Sequence, residues 1–201
     1  MKKENPLKKF ISEKLPAIAD EFNSYISDME SIADGLTEES DRGCVLVTIS
    51  IIEKQLEDIL RKRILGSNKQ LKELFTGFGP MSSFSAKIKL AYSFGIITSE
   101  ASAELDRLKR IRNLFAHDPN LITFESKNII SMCESLEFAL DVQSTTTRKR
   151  FISSQTAIST YLKGVELMIK RIKEPPSLNL KKNKAVFEKQ VREVKAKKKE
   201  S

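Results

Sequence analysis

The sequence predicts an all-α fold, a single bundle of six to seven helices over residues 1–174, followed by a hinge at Pro175-Pro176 and a Lys-rich extension to residue 201. Apolar residues recur at spacings of three and four along nearly all of the first part, the period of a helix with one buried face. No segment alternates apolar and polar residues as a half-buried strand does, and no internal repeat is present. A chain of 201 residues, 40% hydrophobic and 31% charged, can fill one well-packed core.

Phe10, Leu15, Ile18, Phe22 and Met29 mark a first helix from Pro6 to Ile32, bent at Pro16 and closed by Gly35. Ser40 is an N-cap for a longer helix that runs to about Leu65, where Gly66 stops it. That helix carries Val45, Ile49, Ile52, Leu56 and Ile59 on one side and Cys44, Val47 and Ile51 on the other, so it is expected at the centre. A short helix spans Asn68 to Phe75, and Gly77 to Pro80 form a turn. The next helix, Ser82 to Phe94, should turn Phe84, Ile88, Ala91 and Tyr92 inward and leave Lys87 and Lys89 solvated on other faces. Ser99 caps a helix that reaches about His117. Further helices run from Ser126 to Leu140 and, after the polar Gln143 to Thr147, from about Phe151 to Ile172.

Composition excludes several functions. The longest nearly apolar run, Cys44 to Ile52, is broken by Thr48 and Ser50 and falls far short of the ~20 residues a membrane span needs. The N-terminus has mixed charge and no apolar signal core, so a cytoplasmic protein is expected. Cys44 and Cys133 lie within helical faces without CxxC spacing and read as reduced, buried thiols. With one histidine and two cysteines, no zinc site assembles from soft ligands, and no phosphate-cradling glycine loop occurs, so neither a metal nor a cofactor is expected.

The net charge of +8 suggests nucleic acid, but nine Lys/Arg against three Glu between Lys181 and Glu200 place six of those charges in the tail. The tail is too poor in large apolar residues to fold alone and reads as solvated or partner-dependent. The two helices flanking Gly95 resemble a helix-turn-helix, yet Ser99, Glu100 and Glu104, which would enter a groove first, are acidic or neutral. Sequence-specific DNA reading by the body is therefore not expected.

The most informative stretch is Leu105 to Pro119, which holds the only histidine. On a helix of about 100° per residue, Asp106, Arg110, Asn113 and His117 share a polar edge, while Arg112 lies roughly 20° from Leu105 and 40° from Leu108, on the face that should be buried. A guanidinium there needs an anion. Asp41 stands on the core-facing line of the second helix, roughly 40° from Val45, and antiparallel packing would bring it to the end of the Leu105 helix. The expectation is an Asp41–Arg112 pair. Pro119 should stop the helix at about His117, whose imidazole then faces the last carbonyls. Arg112 and His117 are about 140° apart on an ideal helix and converge only if its last turn unwinds.

Three segments carry a family resemblance: Glu39-Ser40-Asp41-Arg42-Gly43, Ser83 to Tyr92, and Ile111-Arg112-Asn113-Leu114-Phe115-Ala116-His117. Together they resemble the mannitol operon repressor family of bacteria, over about Asp20 to Ile172. The resemblance implies an all-helical regulator of a sugar-alcohol uptake operon without a recognised DNA-binding motif. Arg112 to His117 also resembles the R-x4-H motif of HEPN-domain proteins, helical bundles that are often dimers. That resemblance implies metal-independent RNA cleavage, with Arg112 as phosphate clamp, Asn113 as an orienting or binding group and His117 as acid/base.

Three functional readings follow. The first is a mannitol-repressor-type regulator acting through a protein or RNA partner, with Asp41, Arg42, Lys87, Arg110 and Asn113 as candidate binding residues and a homodimer as a candidate assembly. The second is an endoribonuclease with Arg112 and His117 catalytic. The third is an assembly module whose tail supplies nonspecific nucleic-acid affinity. For Arg112, Asn113 and His117 a purely structural role, stapling the helix end, stands beside the others.

Overall fold

In a computed structural model that describes residues 6–36, 38–118, 121–139 and 146–175, with residues 184, 186–189 and 191 of the tail, the elements are helical. In chain order they are α1 (Pro6–Gly35), α2 (Asp41–Lys62), α3 (Asn68–Phe75), α4 (Phe84–Ser93), α5 (Ser99–His117), α6 (Lys127–Glu134) and α7 (Thr147–Met168). No strand occurs among the described residues. Helix α2 is central, packed against α4, α5 and α7, and α1 lies on α7. Its buried stripe, including Val45, Ile49, Ile52, Leu56 and Ile59, is sealed from solvent. Each such side chain contributes about 1.5–3 kcal/mol of burial.

The caps explain most boundaries. The hydroxyl of Ser40 accepts from Gly43 N at 3.0 Å, opening α2 as its sequence requires. Helix α3 begins with a reciprocal capping box between Ser67 and Gln70. At α5 the cap is Thr98, one residue before the expected Ser99, and its side chain accepts from Ala101 N. Pro16 sits inside α1.

Three ends differ from expectation because tertiary partners take their carbonyls. Helix α2 stops at Lys62 instead of about Leu65, since the Lys62 carbonyl accepts from Ile172 N at 2.8 Å and Arg63 N turns back to Leu60 O. Helix α6 ends at Glu134, well before Leu140, which lies outside the described residues. There Arg150 donates to the carbonyls of Cys133 and Glu134, and Glu104 captures the N–H groups of Glu137 and Phe138. Helix α7 closes at Met168, where Lys62 Nζ donates to the Glu166 carbonyl at 3.2 Å, and Ile172 lies beyond the helix with its side chain exposed.

Two side chains expected on particular faces are reversed. Tyr92 is half exposed at 51%, whereas Lys87 is buried at 4%. Lys87 Nζ lies 2.9 Å from Glu53 Oε1 and 3.0 Å from Glu57 Oε2, so two carboxylates on α2 draw the ammonium inward. Both cysteines are buried and free, and burial pushes the Cys133 thiol up to about 12. The expectations for the tail beyond Pro175 and for Gln143 to Thr145 fall largely outside the described residues.

Candidate partner-binding site

The start of α2 does meet the end of α5, as antiparallel packing predicts, but through other residues. Arg42 Nη2 donates to the Asp118 carbonyl at 3.0 Å. Asp41 does not pair with Arg112. Its Oδ1 receives Arg148 Nη1 at 2.7 Å and its Oδ2 receives Phe124 N at 2.9 Å. Arg148 also donates to the carbonyls of Leu36 and Glu39. One arginine on α7 thus ties down the α1–α2 connection and the first turn of α2, where a carboxylate is favoured. Asp41 is fully engaged as a structural residue.

Arg112 is half-buried at the rim of the α5 core face and donates to Asn113 Oδ1 at 3.2 Å. The expectation failed because the buried stripe is Ala101, Glu104, Leu105, Leu108, Ile111 and Phe115, with Leu114 and Ala116 only half covered. That shifts the centre of the face toward Glu104, about 20° from Phe115 and 40° from Leu108. The buried charge on this helix is therefore Glu104. Its carboxylate accepts from Arg107 Nη1 at 2.9 Å, from Glu137 N and Phe138 N at 3.1 Å each, and from the Ser154 hydroxyl. Glu104 stands four residues before Leu108, and that spacing is the signal in the sequence that puts it on the buried face.

The backbone of α5 stays helical through His117, and Asp118 takes the extended conformation (ψ 125°) that precedes a proline. Because the last turn does not unwind, Arg112 and His117 remain about 140° apart around the helix. What reaches solvent is an edge: Arg110, Asn113 and His117 are exposed, with Arg42 exposed beside them across the α2–α5 junction. Arg112 flanks this edge. Lys87, spent on Glu53 and Glu57, takes no part in it. Hollows of about 570 Å3 along Val47, Ile51 and Lys54, and of about 510 Å3 between Phe94, Val165 and Met168, lie elsewhere. No group of three His, Cys, Asp or Glu that could hold a metal occurs among the described residues. No helix there is long and apolar enough to cross a membrane. A cationic, hydrogen-bonding edge of this kind is suited to an anionic or polar protein surface.

A family model described as MtlR, mannitol repressor, matches residues 31–172, which include α2 to α7 and every candidate residue above. The chain belongs to the mannitol repressor family. A chain of the X-ray structure of the MtlR-HPr complex from Escherichia coli is similar in fold, with 16% sequence identity and a TM-score of 0.52. The match covers 70% of this chain and 98% of that one. Among curated proteins none matches. The mannitol-repressor match leaves most of α1 and the Lys-rich tail outside its limits.

Proposed function

We propose that this protein is a transcriptional regulator of the mannitol repressor type, acting in the cytoplasm on a sugar-alcohol uptake operon through a protein partner that docks on the Arg42/Arg110/Asn113/His117 edge. The observation that carries the reading is the family match over residues 31–172. The fold likeness to a chain of a complex with HPr supports a protein as the partner, and HPr is the first to test. The charge at the head of α5 argues against groove reading. Hydrogen bonds from its own backbone N–H, from Thr98 and from Ser99 hold the Glu100 carboxyl below its ordinary range, so an anion stands where a phosphate would approach.

The test is titration of the full chain with purified HPr from the same organism, beside a reporter for the operon in cells with and without the protein. Saturable one-to-one binding and a change in reporter output are expected. A tight, salt-tolerant gel shift on operator DNA by the protein alone would replace this reading with direct DNA recognition.

A further inference from the structure

The extension beyond Pro175-Pro176 lies outside the mannitol-repressor match and carries a pattern of its own. Residues 184, 186–189 and 191 are helical, and Val186 and Phe187 stand exposed at 49% and 65%. On a helix of about 100° per residue, Val186, Phe187, Val191 and Val194 fall within an arc of about 140°, and Lys181, Glu188, Lys189, Arg192 and Lys195 lie on the other side. Nine Lys/Arg stand against three Glu between Lys181 and Glu200. The tail therefore has the make-up of a basic amphipathic helix whose apolar side faces solvent at Val186 and Phe187.

The end of the bundle that carries the tail combines the same two kinds of side chain. Phe94 and Met168, both exposed, line a hollow of about 510 Å3 together with Arg63 and Lys170. The Ile172 N–H, donating to the Lys62 carbonyl at 2.8 Å, holds the segment after α7 against the end of α2. The exposed Arg171 and Lys173 therefore join this end, against the single acid Glu174. Among the described residues none of these four cations has a carboxylate partner.

We propose that the tail and this end of the bundle attach the protein peripherally to an anionic bilayer surface. Val186 and Phe187 enter the boundary between headgroups and acyl chains, and the lysines and arginines meet the headgroups. Stable peripheral attachment takes two signals that are weak alone, and an apolar insertion beside a polybasic patch supplies both. The apolar stripe decides against nucleic acid, whose phosphates the lysines alone would satisfy. The shared sign of charge decides against the tail folding back onto the hollow. Arg42 and Arg63 stand at opposite ends of α2, so attachment here leaves the Arg42/Arg110/Asn113/His117 edge clear, and the two readings are independent.

The experiment is flotation of the full chain with vesicles of phosphatidylcholine alone and of phosphatidylcholine mixed with phosphatidylglycerol, beside its Phe187→Ser and Phe187→Trp variants. The chain has no tryptophan, so Phe187→Trp carries a single reporter. The wild type is expected to float with the mixed vesicles only, and less as salt rises. The Phe187→Trp emission should move to shorter wavelength when mixed vesicles are added. Phe187→Ser should partition about tenfold more weakly with an unchanged melting temperature. No flotation with the mixed vesicles overturns the proposal, and so does equal flotation of Phe187→Ser, which would leave a contact of charge alone. Binding of random-sequence duplex DNA by the wild type and Phe187→Ser alike, without flotation, would assign the tail to nucleic acid instead.

Discussion

Arg148 of α7 grips Asp41, the first residue of α2, at 2.7 Å and uses its other terminal nitrogen on the carbonyls of Leu36 and Glu39. Asp41 in turn accepts Phe124 N, from the loop that packs its ring against Phe115 and Phe151. The pair joins α1, α2, the α5–α6 loop and α7 at one corner. Both side chains are about four-fifths covered, at 22% and 23% exposure, so removing one leaves a poorly solvated charge behind. Arg148→Ala is expected to cost about 2–3 kcal/mol, read from urea unfolding, and Arg112→Ala less than about 1 kcal/mol. Equal losses would mean that Arg112 carries the contact assigned to Arg148.

Glu104 makes a sharper case, because its carboxylate is completely buried and satisfied by four donors. Glu104→Ala strands two backbone N–H groups and opens a cavity, and the expected loss is about 3–5 kcal/mol. Hydrogen exchange should show Glu137 and Phe138 losing protection first. A variant as stable as the wild type would show that the α6–α7 connection is held by Arg150 alone.

The ion cluster between α2 and α4 sets an acid limit. Burial pushes the Glu57 carboxyl up, but Lys87 and Arg61 outweigh it and hold it below its ordinary 4.5. A depressed carboxylate contributes stability that is present in full above the unfolded value and is lost as pH falls through the lower folded one. Lys87→Met should therefore be destabilising at pH 7, with the difference from wild type shrinking below about pH 4. Urea titrations at pH 7, 5 and 3 measure this. A difference independent of pH would assign the loss to packing of the lysine stem instead of its charge.

These residues show which parts of the fold periodicity can reveal. The helices, the central place of α2 and the meeting of its start with the end of α5 follow from apolar spacing and caps, which are local properties. The partner of a buried charge is not local. Asp41 was recognisable as a carboxylate on the core line, but Arg148, 107 residues away, competes with Arg112 for it only once α7 is docked. Lysine is usually solvated, and nothing in its own helix reveals Glu53 and Glu57 as the partners that bury Lys87. On α5 a small rotation of the centre of the buried face decides whether the buried charge is Glu104 or Arg112. The edge of Arg110, Asn113 and His117 survives because it depends only on spacing within one helix.

The edge itself can be tested by charge. Arg42→Glu and Arg110→Glu reverse two exposed cations without touching the core, so melting temperatures should change by no more than a few degrees. Binding of HPr should weaken about tenfold for each, chiefly through slower association, with the wild-type affinity falling as salt rises. Unchanged affinity in both variants would move the interface away from the α2–α5 junction.

RNA cleavage by 2′-hydroxyl attack requires an arginine and a histidine converging on one phosphate. Here α5 is regular through His117, Arg112 is bonded to its neighbour Asn113, and the two side chains leave the helix about 140° apart. Cellular RNA incubated with the purified protein in chelator should therefore remain intact, as it should with His117→Ala. Cleavage by the wild type that His117→Ala abolishes would demand that the last turn of α5 open on binding RNA, bringing the imidazole round to the guanidinium, and would make this edge a catalytic surface instead of a docking one.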